Sequence, residues 1–179
     1  MRFSVLLAPL LAVPSLAGLI NVEKRQASIL TGAFADLNTK LNAFDQQVSA
    51  LTPSSDVAKS QSQLVAASQA ILNSMKTGEA AIKGAKPLGL LEVTGLISDG
   101  TALATNAQKV LADLTSKQDI IKKANLGPLV VTQLKAQKAA ADTFAKATTD
   151  KLPTGTQTIG GTLITAITNA LDSGIKIFS

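Results

Sequence analysis

Two short patterns in the sequence place serine, threonine and lysine at spacings that some hydrolases use. Ser173 and Lys176 match the Ser-x-x-Lys pattern of penicillin-binding enzymes, in which the serine is the nucleophile, and Lys76-Thr77-Gly78 matches their Lys-Thr-Gly element. Here the second pattern precedes the first, falls in a predicted helix instead of a strand, and has no Ser-x-Asn element beside it. We therefore predict that the protein is not an enzyme of this type.

The sequence also lacks most of the residue types that catalyse reactions or bind metals. The chain contains no Cys, His, Trp or Tyr, so imidazole bases, thiolate nucleophiles and soft metal ligands are absent. The carboxylates are dispersed: Asp36 and Asp45 lie nine residues apart and Asp113 and Asp119 six apart, whereas a spacing of three or four would place two on one helical face. No Asp-rich loop resembles a calcium site. We predict no catalytic residues, no metal and no cofactor, which leaves binding.

The N-terminus carries the features of a secretory signal peptide. A basic start at Met1-Arg2 precedes an apolar run from Phe3 to Val13, and Ser15 and Ala17 are the small residues of a cleavage site, which predicts a signal peptide over residues 1–17. Lys24-Arg25 resembles the dibasic site of kexin-type proteases, so residues 18–25 form a possible propeptide. The alternative is that this pair belongs to a solvated loop.

The remaining domain, residues 26–179, has 14 lysines against 11 acidic residues, a slight and dispersed excess of +3. Nucleic-acid-binding proteins concentrate basic charge and use arginine and aromatic side chains, so we predict no nucleic-acid partner. No later stretch is apolar over the roughly 20 residues that cross a bilayer, and the last residues lack the apolar tail of a GPI signal. We expect a secreted protein, extracellular or loosely associated with a cell wall, with no transmembrane segment and no GPI anchor signal.

Apolar residues recur at spacings of three and four and predict a series of amphipathic helices. The first helix has an unbroken apolar stripe and ends at Thr52-Pro53, after which Ser54 or Ser55 can cap the second. The stripe of the second helix is interrupted by Gln61, Ser68 and Gly78. The stripe of the first comprises Leu30, Phe34, Leu37, Leu41, Phe44, Val48 and Leu51, and that of the second Val57, Leu64, Ile71, Met75 and Ile82.

Three further long helices follow. The third runs from about Leu88 to Leu114, and a short helical turn through Ile120 and Ile121 precedes a fourth that begins at Pro128. The last reaches Gly174. Their stripes include Leu96, Leu103, Val110 and Leu114, then Val130, Leu134, Ala141, Phe144 and Thr148, then Ile159, Leu163, Ile167 and Ala170. Because strand signals are absent, we predict one all-α domain, a five-helix up-and-down-like bundle.

The polar residues within the second stripe suggest a ligand site between the helices. A buried amide or hydroxyl at Gln61 or Ser68 needs a hydrogen-bond partner, which is either the polar head of a ligand or a neighbouring group; alternatively the helix turns these residues to its boundary. Ligand sites form between the helices of bundles. The predicted ligand-binding set follows the stripes: Gln61, Leu64, Ser68, Ile71, Met75, Leu103, Val110, Leu134, Phe144, Leu163 and Ile167.

The signal peptide, the dibasic site, the Cys-free helical body, and segments such as Leu41-Asn42-Ala43-Phe44-Asp45 and Gly84-Ala85-Lys86-Pro87 resemble the fungal hydrophobic surface-binding protein A family, which includes cell-wall galactomannoproteins. The resemblance implies a secreted or wall-associated five-helix bundle that adsorbs to hydrophobic surfaces. It also implies that some members hold a fatty acid and that some recruit polyester-degrading hydrolases.

Two functions remain open at this stage. The first is a secreted, non-enzymatic binder that holds a fatty acid or similar lipid between its helices. The alternative is a protein that adsorbs to hydrophobic surfaces and recruits a secreted polyester hydrolase. A long apolar tunnel that reaches Ser68 and Gln61 would favour the first function, and a solid core would favour the second.

Overall fold

A computed structural model gives the backbone of residues 16–179 and the side chains of residues 27–179, apart from those at 159 and 163. Within this range the chain forms helices and no strands. The helices are α1 (Leu16–Ser49), α2 (Val57–Gly84), α3 (Leu90–Ser116), α4 (Gln118–Lys123), α5 (Gly127–Thr149) and α6 (Gln157–Phe178). The predicted signal peptide lies outside the described residues except for its last two.

Helix α1 forms as its sequence pattern predicts. All seven residues of its predicted stripe, from Leu30 to Leu51, are buried, because a spacing of three and four keeps them on one face. Its face toward α2 also carries a polar link, in which the buried hydroxyl of Ser74 donates to Asp36 Oδ2 at 2.6 Å. Lys24 and Arg25 lie within this helix and not in a loop.

The start of α2 differs from the prediction. Asp56, and not Ser54 or Ser55, is the N-cap: its carboxylate accepts a hydrogen bond of 2.9 Å from the Lys59 backbone N–H. Val57 and Gln61 are exposed, and Ser60 is the buried residue of the first turn. The predictions of core positions for Val57 and Gln61 are wrong, because from Leu64 a step of four toward the N-terminus leads inward to Ser60.

The helix count is six among the described residues, not the predicted five, because the predicted short turn is the separate helix α4. Lys117 leaves the helical conformation between α3 and α4, and its N–H is shared between the carbonyls of Asp113 and Leu114. Asn125, with a φ of 55°, ends α4. The N–H of Leu126 reaches back to the Ile121 carbonyl at 2.9 Å, which satisfies the end of the helix.

The five long helices stand in a closed ring in the order α1, α2, α5, α6, α3 and back to α1. Their directions alternate along the chain. The α1–α2 and α5–α6 neighbours are antiparallel, and the other adjacent pairs are parallel. We call the end that holds the α2–α3 and α5–α6 loops the lower end, and the end that holds α4 and the C-terminus the upper end. A ring of five helices leaves room along its axis that a four-helix bundle would fill.

Candidate ligand cavity

Two cavities lie along the axis of the ring. The lower cavity has a volume of about 70 Å³ and is lined by residues of all five long helices. The upper cavity has a volume of about 50 Å³. Leu37, Met75, Leu103 and Ile167 line both, so the two are neighbours on one axis. Along α3 the lining residues run from Val93 to Leu114, which spans roughly 30 Å at the helical rise of about 1.5 Å per residue.

The lower cavity is lined by apolar residues and by three threonines whose hydroxyl groups are already hydrogen-bonded. Of its three threonines, Thr148 donates its hydroxyl hydrogen to the Phe144 carbonyl at 2.9 Å, and Thr156 donates to the Pro153 carbonyl at the same distance. Thr168 donates to the Ile164 carbonyl at 3.1 Å. Because these hydrogens are bound to helix and loop carbonyls, the threonines offer a ligand methyl groups and no spare hydroxyl donor.

Glycine and aromatic residues shape the same wall. Gly78 packs so closely that a Cβ atom there would lie 2.7 Å from Phe144 Cε2 and 3.1 Å from Ala33 Cβ. The Phe144 ring in turn rests against Phe34, with ring centroids 5.7 Å apart. Gly78 therefore interrupts the apolar stripe of α2 because the Phe144 ring occupies the space that a side chain at residue 78 would need.

A buried hydrogen-bond chain joins α2 to α5 beside the upper cavity. Ser68 is fully buried; its Oγ accepts from Gln137 Nε2 at 2.9 Å and donates to Gln133 Oε1 at 2.8 Å. Gln137 is also buried and lines the upper cavity, where it is the only polar residue among the lining residues. Ser68 thus bonds to neighbouring side chains, which is one of the alternatives that its position in the stripe left open.

Helix α6 packs more loosely than its neighbours. Of its described side chains only Ala170, Gly174 and Phe178 are buried, whereas α2 buries nine residues. Its inward isoleucines and leucine are half-buried, and Ile167 lies at the junction of the two cavities. Polar contacts hold the helix at intervals, such as the ion pair between Lys138 Nζ and Asp172 Oδ2 at 2.6 Å. Of the five long helices, α6 therefore has the fewest fully buried residues among those described.

The ionic groups lie away from the axis. Lys109 on α3 donates to both Asp45 on α1 and Asp113, and its ammonium group lowers the pKa of Asp113. The same two carboxylates, Asp113 first, raise the pKa of Lys109. Among the described side chains that line the two cavities there is no lysine or arginine. The part of the chain with described side chains also holds no group of three or more carboxylates that would bind a metal.

Most of the predicted ligand-binding residues face the axis. Met75, Leu103 and Ile167 line both cavities, Phe144 lines the lower one, and Val110 and Leu134 line the upper one. Leu64 and Ser68 instead line a crevice of about 20 Å³ between α2 and α5, to which Leu134 also contributes. These placements bring together residues from four helices, α2, α3, α5 and α6.

Two further members of the predicted set line none of these spaces, and a third has no described side chain. Ile71 is fully buried but lines neither cavity, Gln61 is exposed, and Leu163 is outside the described side chains. The sequence analysis did not include Gln137 or Gly100. Gln137 follows Leu134 by three residues on the α5 stripe and was detectable by the same rule that selected Ser68. Gly100 leaves space in the wall simply because it lacks a side chain.

A model of the hydrophobic surface binding protein A family matches residues 27–150. The chain belongs to this family. The match begins two residues after the dibasic pair and ends before α6. This result confirms the resemblance drawn from the sequence. Within residues 27–179 no helix combines the length and the hydropathy needed to cross a membrane.

Curated relatives extend the comparison. The chain is 30% identical over 178 residues to cell wall mannoprotein 1 of Aspergillus fumigatus and 28% identical to that of Aspergillus flavus. Both alignments cover 99% of this chain, but only 60% of the A. fumigatus protein and 63% of the A. flavus protein. The chain thus spans about three fifths of the length of the curated relatives it matches.

Solved structures share the fold. Ligand binding domain 1 of the Penicillium marneffei MP1 protein, complexed with arachidonic acids, aligns with a TM-score of 0.81 at 22% identity and covers 87% of this chain and 99% of that domain. AFMP4P in complex with palmitic acid aligns with a TM-score of 0.79 at 20% identity, over 86% and 99% of the two chains. At this identity the likeness establishes the all-α fold.

Proposed function

We propose that this protein is a secreted, non-enzymatic carrier that holds the alkyl chain of a fatty acid or similar lipid along the axis of its helical ring. The observation that carries the proposal is the pair of neighbouring, largely apolar cavities on the axis, to which all five long helices contribute. The arachidonic and palmitic acids held by two proteins of the same fold support it.

The free energy of transfer is sufficient for such a ligand. About 16 methylene groups at roughly 0.8 kcal/mol each give some 13 kcal/mol of gross transfer free energy. Micromolar affinity requires about 8 kcal/mol, which leaves roughly 5 kcal/mol for ordering the chain and moving the protein. No charged partner inside the bundle is needed.

The cavities must widen to take a whole chain. Volumes of about 70 and 50 Å³ are well below the several hundred cubic ångströms of an ordinary ligand pocket. We expect α6 to move outward, because it has the fewest buried side chains and no disulfide restrains it. The ligand then replaces contacts that the half-buried apolar residues of α6 make in the closed ring.

The carboxylate of the ligand is expected to stay at an end of the axis, in contact with water. A carboxylate inside the bundle would need donors or a cation to offset its desolvation, and the side chains described around the two cavities include no cation. The amide of Gln137 already donates to Ser68. The bundle therefore binds the chain and leaves the polar head outside.

Native mass spectrometry and fatty-acid titration test this proposal. The purified protein should carry a co-purifying lipid or take up one added palmitate with an increase in unfolding temperature. The result that contradicts it is neither a bound lipid nor any shift in the unfolding temperature. Ester and glycoside substrates should show no turnover, in accordance with the prediction that the protein is not an enzyme.

The processing and location of the chain are part of the same proposal. We expect removal of residues 1–17, cleavage after Arg25 and a working domain of residues 26–179. The cell wall mannoproteins among the relatives support an extracellular or wall-associated location. N-terminal sequencing of the secreted protein checks both cleavages. Adsorption to solid hydrophobic surfaces and recruitment of a hydrolase stay predictions that follow from the family.

A further inference from the structure

The lower end of the bundle exposes two adjacent leucines. Leu91 is 94% exposed and Leu90 is 68% exposed, and the remaining large apolar residue that is exposed within the described range, Val57, lies at the opposite end. Single exposed apolar residues are ordinary on protein surfaces, but a contiguous pair at the tip of a helix is a small apolar patch. We call Leu90 and Leu91 the leucine tip.

The surrounding structure holds the leucine tip outward. Leu88, two residues earlier, is buried, and its N–H donates to the Lys151 carbonyl at 2.8 Å, which ties this loop to the α5–α6 loop. On the other side, the Glu92 carboxylate accepts a hydrogen bond of 2.8 Å from the Gly89 N–H and caps α3. The two leucines are thus fixed in the first turn of a capped helix and cannot fold back without breaking the cap.

The leucine tip lies next to the lower cavity. Val93, two residues after Leu91, lines this cavity, and so does Leu152, which follows the residue that binds the Leu88 N–H. The first turn of α3 therefore has an outer side that carries the leucine tip and an inner side that reaches the cavity. A lipid chain at the leucine tip is one helical turn from the apolar axis.

The charge around the leucine tip fits lipid headgroups. The acidic groups nearby are engaged: Glu79 pairs with Lys83 at 2.6 Å, Asp150 pairs with Lys146 at 3.1 Å, and Glu92 caps α3. The ammonium group of Lys151 bonds to the backbone carbonyls of residues 83 and 85 and brings a positive charge to the same end. The Glu92 carboxylate and the Lys151 ammonium group thus bring one charge of each sign to the leucine tip, which suits the zwitterionic headgroups of a phospholipid surface.

We propose that the leucine tip docks the lower end of the bundle onto a phospholipid surface. Two leucine side chains cover far less than the roughly 800 Å² per partner of a stable protein–protein interface, whereas insertion into a lipid surface needs no shape-matched partner. From this docked position a fatty acid passes chain first into the lower cavity. The delivery step rests on the proposed fatty-acid binding, and the docking step does not.

Flotation with phosphatidylcholine vesicles that contain phosphatidylserine tests the docking step. The variant L90S/L91S should bind these vesicles about 30-fold more weakly than the native protein, since two aliphatic side chains no longer enter the lipid. The matched control V57S removes an exposed apolar side chain at the upper end and should bind within twofold of the native protein. Both variants change exposed positions, and circular dichroism should show unchanged helix content.

Several outcomes overturn the proposal. These are a native protein that does not float with vesicles, an L90S/L91S variant that binds as well as the native protein, and a V57S control that loses as much binding. Adsorption to wax or polystyrene beads without vesicle binding would identify a solid surface instead. A concentration-dependent dimer that L90S/L91S abolishes would identify a second copy of the chain as the occupant.

Fatty-acid uptake separates docking from carriage. Affinity for a soluble fatty acid below its aggregation limit should be unchanged in L90S/L91S, while the rate of transfer from vesicles should fall at least tenfold. If no fatty acid binds but vesicle docking still depends on the leucine tip, the proposed function fails and the docking stands. If fatty acid binds and transfer is equally fast in the variant, the docking proposal fails alone.

Discussion

Filling the lower cavity should raise the stability of the protein and lower its affinity for lipid. Ala141 on α5 is buried and faces this cavity. The substitution Ala141→Leu adds three carbon atoms to the wall. Because the same space is empty in the free protein and occupied in the proposed complex, the two effects have opposite signs.

The magnitudes follow from the cavity volume. At about 24 cal/mol per Å³, a cavity of about 70 Å³ costs the free protein roughly 1.7 kcal/mol. Burying three more carbons adds about 2.4 kcal/mol, against which overpacking costs about 1–3 kcal/mol. We expect a net gain of about 1–3 kcal/mol, which raises the unfolding temperature by roughly 2–12 °C. Loss of space for three methylenes should weaken lipid binding by up to about 50-fold.

The assay compares Ala141→Leu with Ala139→Leu on the same helix. Ala139 is exposed, so its substitution should change the free energy of unfolding by less than about 0.5 kcal/mol and leave lipid affinity unchanged. Thermal unfolding gives the stability, and displacement of a fluorescent fatty acid gives the affinity. Native affinity in Ala141→Leu would refute the placement of the alkyl chain in the lower cavity. A less stable protein would show that the space cannot accept a leucine.

Two further predictions concern buried and exposed polar groups. Ser68→Ala should lower the free energy of unfolding by about 1–3 kcal/mol in urea titrations, because the buried amide of Gln137 loses its acceptor. The loss caused by Ser68→Ala should be smaller when Gln137→Leu is already present. Additive losses in the double variant would argue against the hydrogen bond. The unfolding temperature should be constant from about pH 5 to about pH 9, since the chain has no histidine, and should fall in acid. Lys83 lowers the pKa of Glu79, and Lys109 lowers the pKa of Asp113, so the stability that these carboxylates contribute is lost as they are protonated in acid. An unfolding temperature that changes between about pH 6 and pH 8 would contradict this assignment.

The sequence was sufficient for the helices and for much of the wall of the cavities. The α1 stripe is buried throughout, because it depends only on the helical period. The start of α2 was mispredicted, since a short stripe does not determine which of two adjacent residues turns inward; there Ser60 is buried and Gln61 is exposed. The chain reversal through α4 was visible in the sequence, but not its status as a separate helix.

The closed ring was beyond the reach of the sequence pattern. Periodicity identifies the inner face of each helix but not which helices are neighbours, and α3 packs beside α1 and α6 instead of α2. The cavities depend on that order. Their walls also depend on Gly100, where the informative property is an absent side chain, and on the pairing of Gln137 with Ser68 across two helices. Such pairings are tertiary and have no local signature.

The threonines of the lower cavity, whose hydroxyl hydrogens are all bound to the backbone, have a consequence for ligand choice. Because these threonines offer no free hydroxyl donor and the head stays in water at the end of the axis, the lower cavity does little to distinguish an acid from an alcohol or an ester. Such a cavity selects ligands by the length of their alkyl chains. The bundle should therefore act as a ruler of roughly 30 Å that accepts lipids by the reach of their chains.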